Sequence, residues 1–194
     1  MLRETAIADV KRALDLVERQ WPDLAASYMR VPLEAYSSEE RAARERTLFE
    51  GSPLALLASN ELARPYDYHV RRAVGRSILL TRDGDGVAHA FLNYCRHRGA
   101  EPARGCGNAR AFVCPYHAWS YDTKGRLVGM PLRDRYRDLD LGRYGLVELP
   151  SEERHGFVWV VLRPGAAIDV AGHLGALDEE IASLHCERMT YFNA

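Results

Sequence analysis

Two periodicities divide the chain. Over residues 5–21, Ile7, Val10, Leu14, Val17 and Trp21 recur three and four positions apart. That spacing predicts a helix with one apolar stripe, expected to pack on its own domain. Pro22 is expected to end it, since proline lacks an amide hydrogen and clashes with the preceding turn. Ser37 and Glu40 have the spacing of a capping box and predict a second helix from Arg41 to about Phe49, closed by Gly51-Ser52-Pro53. From residue 54 the apolar runs become short and the turn signals frequent. Leu54–Ala58, Tyr66–Val74, Ser77–Thr81 and Val87–Leu92 read as strands, the last two joined through Asp83-Gly84-Asp85-Gly86. Thr123-Lys124-Gly125 is a further tight turn. Leu146–Leu149 and Phe157–Leu162 read as strands with residues 150–156 as a connection, and Gly165-Ala166-Ala167 marks an exit. Asp178–Leu184 predicts a short helix, and Met189–Phe192 the start of another strand. Many short strands between turns predict a mainly β fold of antiparallel sheets behind a helical arm, α+β overall.

The chemistry lies between the strands. Two mixed pairs stand close together, Cys95 with His97 and Cys114 with His117. Two thiolates and two imidazoles are the donor set of a [2Fe–2S] cluster in which two Cys hold one iron and two His the other. A zinc site also uses these residues, but it favours C-x-x-C pairs. Buried structural His and free Cys would account for one such residue better than for four at this spacing. A disulfide is disfavoured by a chain with no sign of secretion.

Asn93-Tyr94-Cys95-Arg96-His97-Arg98-Gly99-Ala100, then Cys114-Pro115-Tyr116-His117-Ala118-Trp119-Ser120-Tyr121-Asp122 and Gly125-Arg126-Leu127, resemble the Rieske domain of ring-hydroxylating oxygenases, the α subunits of the Rieske non-haem iron enzymes. The resemblance implies cluster ligation by Cys95, His97, Cys114 and His117, with both imidazoles on the exposed side. It also implies supporting roles for Arg98, Gly99, Tyr116 and Trp119, of which the two aromatic residues would wall the cluster from water. Gly99, Gly105, Gly107 and the Pro115 turn would let backbone amides approach the sulfurs. Membrane-complex Rieske proteins carry an extra disulfide between the loops; Ala100 and Tyr116 occupy those places here, so that bridge cannot form. Cys106 reads as a free thiol. Trp119 stands where those proteins place a Ser that bonds a cluster sulfur, which predicts a potential at the low end of the range, about −150 mV. Ala118 stands where the oxygenase motif has Gly. By resemblance, electrons come from NAD(P)H through a reductase or ferredoxin and pass to a mononuclear Fe(II), in an oligomer expected to be a trimer.

The bulk properties fit. A net charge of −1 over 194 residues argues against nucleic acid as the main partner. Nothing reads as a signal peptide or a membrane span, so the protein is expected in the cytoplasm, with no membrane partner. Arg96, Arg98, Arg104 and Arg110 against Glu101 form a basic rim that could dock an acidic donor. The mononuclear iron would need two His and a carboxylate; His155, His173 and His185 are too far apart to pair on one helix and read, with His89, as surface residues. The expected organisation is a helical arm at 1–53, a Rieske domain at 54–165 with its cluster loops at 93–122, and the start of a truncated catalytic domain at 166–194. The mononuclear iron would then lie in the missing part. A stand-alone Rieske-type ferredoxin is the alternative, and a zinc-stabilised module a third reading.

Overall fold

The computed structural model describes residues 3–25, 27–135, 138 and 140–190, in two compact units that divide between Ala42 and Ala43. In the first unit, α1 spans Arg3–Glu18. It stops before Pro22. Gln20 turns left-handed at φ 51°, its amide donates to Val17 O and the Trp21 amide reaches back to Leu16 O at 2.9 Å. This double closure is a Schellman ending, with Gln in the place that usually holds Gly. The residues of the apolar stripe are exposed. After α2 (Glu34–Ser37) comes α3 (Glu39–Gly51), whose first turn ends the first unit and whose remainder begins the second. Its cap is Ser38, whose hydroxyl accepts the Arg41 amide at 3.2 Å, one residue beyond the expected Ser37. Ser37 instead ends α2 and donates to Leu33 O at 3.3 Å.

In the second unit, Gly51-Ser52-Pro53 leads into β1 (Leu54–Ala58). Then follow β2 (Asp67–Ala73), β3 (Arg76–Arg82), β4 (Ala88–Leu92), β5 (Cys106–Asn108), β6 (Ala111–Val113), β7 (Ser120–Asp122), β8 (Leu127–Gly129), β9 (Glu148–Leu149), β10 (Ser151–Arg154) and β11 (Phe157–Val160). All pairs are antiparallel. They form three sheets, with strand orders β1-β11-β10, β5-β2-β3-β4-β9 and β6-β7-β8. The helices α4 (Val170–Leu174) and α5 (Leu177–Ser183) follow, so the predicted helix begins one residue earlier, and α4 has no counterpart in the expectation. Residues 191–192 of the predicted last strand lie outside the described residues.

β3 explains the layering. Ser77-Ile78-Leu79-Leu80-Thr81 is buried throughout, because both faces of the strand are covered. Ile78 and Leu80 face one core with Leu57, Ala90, Leu149, Val158 and Val160. Leu79 faces the other, with Phe91, Phe112, Tyr121 and Leu127 and the two loop cysteines, Cys95 and Cys114. The first core packs the β1-β11-β10 sheet on the central one. The second packs the small β6-β7-β8 sheet on the opposite face, and that sheet carries the loop with Cys114 and His117.

The short strands β5 to β8 and β10 were not among the expected strands, and two turns depart from the usual residue pattern. The segment read as a connection contains β10, Ser-Glu-Glu-Arg, which pairs with β11 along its length. It has no apolar alternation to reveal it. The β2–β3 and β10–β11 hairpins both close through two residues of positive φ, Val74-Gly75 at 48° and 74° and His155-Gly156 at 52° and 81°. These are I′ turns in which Val and His fill the place usually given to Asn. Gly125, by contrast, obeys the rule twice over: φ is 73°, and a Cβ would lie 2.4 Å from the Phe91 ring.

Candidate metal centre

The two loops that carry the candidate ligands are built alike. In the first, the Cys95 amide donates to Ala100 O and Cys95 O accepts from the Gly99 amide, both at 2.8 Å. In the second, the Cys114 amide donates to Trp119 O at 2.8 Å and Cys114 O accepts from the Ala118 amide at 2.9 Å. Each cysteine is thus closed by bonds to the residues four and five ahead. The residue four ahead is left-handed in both loops, Gly99 at 77° and Ala118 at 55°. Ala118 therefore adopts the glycine conformation while carrying a Cβ. The first loop starts from β4 and is tied at its base by the buried Asn93, which donates to Ser77 Oγ at 3.1 Å and Ala103 O at 2.9 Å. The second loop joins β6 to β7.

This construction sorts the four side chains by depth. Cys95 and Cys114 are 4% and 3% exposed, whereas His97 and His117 lie at the surface. The two imidazole rings meet edge-on with centroids 4.8 Å apart. Among the described residues no group of three or more His, Cys, Asp or Glu is placed to hold a single metal ion. Two inner thiols and two outer imidazoles fit a binuclear group that takes two thiolates at one metal and two imidazoles at the other.

The surroundings clasp the loops together. Trp119 of the second loop stacks on His97 of the first, 5.0 Å and 12° apart. Arg98 of the first lies over Tyr116 of the second at 5.1 Å. Trp119 is 7% exposed and Tyr116 54%, so Trp119 is a wall while Tyr116 covers only one face of His117, at 4.0 Å. Gly107 does not approach a sulfur: it sits in β5 with a Cβ position 3.2 Å from the Tyr68 ring. Gly105 O accepts the Val70 amide at 2.8 Å.

Sequence reasoning assigned no role to Tyr121. Its phenol is fully buried, 3.2 Å from Cys95 Sγ, and accepts the Arg96 amide at 2.9 Å. Burial pushes this phenol above its ordinary pKa, and the contact with Cys95 adds to the shift, so the phenol stays protonated. Its place in the quoted motif was visible; its partner, on the first loop, was not.

The remaining candidates disperse. Cys106 is an exposed free thiol, and His173 is exposed. His185 is exposed near Glu187. His89 and His155 are not the surface residues expected. His89 is half-buried with Nε2 3.1 Å from Asp83 Oδ2, and His155 Nε2 lies 2.7 Å from Asp178 Oδ1. The basic rim is partly engaged: Arg110 lies over Tyr66 at 4.2 Å, and Glu101 pairs with Arg72 at 3.1 Å.

The sequence profile of the Rieske [2Fe–2S] domain matches residues 52–148, half of the chain. The carnitine monooxygenase oxygenase subunit of Acinetobacter baumannii is 35% identical over 141 residues, covering 72% of this chain and 37% of that protein. The salicylate 5-hydroxylase large oxygenase component of a Ralstonia species is 34% identical over 155 residues, 72% of this chain and 36% of that protein. The chain thus spans under two-fifths of these relatives. Among solved structures, the quaternary ammonium Rieske monooxygenase CntA with L-carnitine superposes with a TM-score of 0.73 at 32% identity, over 78% of this chain and 44% of that one. Naphthalene 1,2-dioxygenase from Rhodococcus sp. gives 0.73 at 28%, over 95% and 41%. With the Cys/His spacing, loop geometry and profile in agreement, the chain belongs to the Rieske [2Fe–2S] domain family, and the relatives it matches are large subunits of Rieske oxygenases.

Proposed function

We propose that Cys95, His97, Cys114 and His117 hold a Rieske [2Fe–2S] cluster. We further propose that this chain relays single electrons to a mononuclear non-haem iron for O2-dependent dihydroxylation, monooxygenation or demethylation of an aromatic or related substrate. The observation that carries the reading is the matched pair of loops, with two buried thiols beneath two exposed imidazoles. Such a cluster, when bound, accepts and releases one electron at a time. The residues prepare for that exchange. With Cys95 held as a thiolate, the Tyr121 phenol 3.2 Å away would donate to its sulfur and stabilise the negative charge there. Trp119 excludes water from one face of His97. The outward faces of His97 and His117 offer the short path to a partner, and the cavity beside them, about 580 Å³, is lined by Val113, Pro115, Tyr116, Pro131 and Leu132 as well as the imidazoles.

On this reading residues 1–53 are an arm, 54–165 the cluster domain and 166–194 the approach to a catalytic domain that binds the mononuclear iron outside these residues. The greater length of the relatives supports that organisation. The electron donor is a ferredoxin or an NAD(P)H-dependent reductase. A homo-oligomer, a trimer, is proposed for the whole protein in the cytoplasm; a structure of a related quaternary ammonium Rieske monooxygenase gives insight into inter-subunit electron transfer in that protein. No helix among the described residues is long and apolar enough to cross a membrane. The test is the visible spectrum of protein purified without oxygen, followed by EPR after dithionite reduction. A red-brown protein with a rhombic reduced signal is expected. A colourless protein with bound zinc overturns the reading.

A further inference from the structure

The two candidate imidazoles are held unequally. His117 has beside it the edge of His97 and, on its own loop, Tyr116, a largely exposed ring tilted by 31°. His97 has a back wall two rings deep. Trp119 stacks on it nearly parallel, and Tyr144 meets Trp119 edge-on at 6.0 Å and 80°.

Tyr144 belongs to neither ligand loop. It ends the 3₁₀ turn Leu141–Tyr144, whose start is capped by Asp140 as its Oδ1 accepts the Gly142 amide at 3.0 Å. On its other side Gly145 lies so close to the Gly125 turn that a Cβ would stand 2.9 Å from Gly125 O. The Leu146 amide donates to that same carbonyl at 2.7 Å. The Gly125 turn closes β7 on β8, in the sheet that carries the second loop. The backbone on both sides of Tyr144 is therefore pinned, one side by a cap and the other by a close approach that only glycine permits. Trp119 is pinned as well, since its carbonyl accepts the Cys114 amide. A ring fixed at its base, pressed edge-on into a second fixed ring, limits the planes the third can adopt.

We propose that Tyr144 is a positioning residue that acts through Trp119 to set the plane of the His97 imidazole, a support that the Tyr116 ring beside His117 does not receive. The proposal rests on the cluster reading above. The orientation of a ligating imidazole governs its overlap with the metal and is read directly from its nitrogen couplings, independently of turnover.

The experiment compares the protein with its Tyr144→Phe and Tyr144→Leu variants, each reduced with dithionite. Continuous-wave EPR gives the g values and line widths, and pulsed EPR the two ligand-nitrogen couplings; iron and sulfide content are measured alongside. Tyr144→Leu is expected to shift one nitrogen coupling, leave the other in place and broaden the g lines. Tyr144→Phe keeps the ring edge and is expected to retain the unaltered spectrum. If Tyr144→Leu fails to hold the cluster, Trp119→Phe carries the same readout, with the shift again expected in one coupling. Normal couplings and widths in the variant that retains the cluster overturn the positioning role, as does an equal shift in both couplings. A failure of the cluster reading looks different: the unaltered protein itself then shows no signal from two imidazoles.

Discussion

At the scale of single residues, the centre depends on two positions outside the four ligand candidates. Tyr121 is buried, protonated and aimed at Cys95. A hydrogen bond to a charged sulfur favours the more negative, reduced state. Removing one worth about 1–1.5 kcal/mol corresponds to about 40–60 mV for one electron. Tyr121→Phe is therefore expected to lower the midpoint potential by about that amount in a spectroelectrochemical titration; an unchanged potential would show that the phenol does not reach the sulfur. Ala118 holds a left-handed conformation that its counterpart Gly99 adopts freely. A Cβ there costs more than the extra freedom glycine brings to the unfolded chain, so Ala118→Gly should raise unfolding stability by about 0.5–1 kcal/mol, as read from a urea midpoint at constant m. The ligand candidates themselves were legible in the sequence, because Cys-x-His and Cys-x-x-His are local spacings. Tyr121 was not legible as a partner of Cys95, because their contact joins strand β7 to the first loop.

At the scale of elements, the hairpins carry the signal and the exceptions. Val74 occupies the first position of an I′ turn at φ 48°, where a β-branched side chain is strained. Val74→Asn is expected to stabilise the protein by about 1 kcal/mol in the same denaturation assay; a loss of stability would mean that Val74 packing outweighs its strain. The β3–β4 hairpin turns on Asp83, which is almost wholly buried. Its carboxylate accepts the Asp85 and Val87 amides at 2.9 Å each, and its other oxygen faces His89 at 3.1 Å and Lys124 at 3.3 Å. Burial alone would raise its pKa, but the hydrogen bonds, His89 foremost, hold it well below the usual carboxylate range. A depressed folded value means that the stabilisation is complete above the unfolded value, about 3.9, and is lost as pH falls below it toward the folded value. Asp83→Asn should thus cost about 1–3 kcal/mol at pH 7. The gap to the unaltered protein should narrow once the pH drops below about 4, and a gap independent of pH would sink the argument. The Asp-Gly-Asp-Gly signal announced this hairpin in the sequence; the Lys124 contact, from a turn far along the chain, did not show.

At the scale of the whole described molecule, two cores lie on opposite faces of one central strand, and only one contains the cysteines. Binding free energy at a site of this kind adds to the stability of the part that forms it. Removal of the cluster should therefore loosen the second core selectively. In hydrogen exchange the amides of Cys95, Gly99, Cys114 and Ala118 should lose protection in the cluster-free protein. The amides of Ile78 and Leu80, bonded into the middle of the central sheet, should keep theirs. Uniform loss across both sets would show a single cooperative unit instead.

What the sequence by itself determined is what depends on neighbours a few bonds away. The α1 stripe, the Asp83–Gly86 and Thr123–Gly125 turns, the antiparallel strand class and the two ligand pairs all follow from backbone preferences and short spacings. What the tertiary structure decided is what depends on register and layering. It made β10 a strand although its sequence is Ser-Glu-Glu-Arg, because β11 offers it a ladder. It drew His89 and His155 inward to Asp83 and Asp178. It brought Tyr121 to Cys95 and Tyr144 behind Trp119. The Cys95–Tyr121, Trp119–Tyr144 and His155–Asp178 contacts join residues far apart in the chain, and the β10–β11 and Asp83–His89 pairings join neighbours within one hairpin. No local preference encodes any of them; they arise when buried polar groups and apolar faces must all be satisfied at once within one packed core.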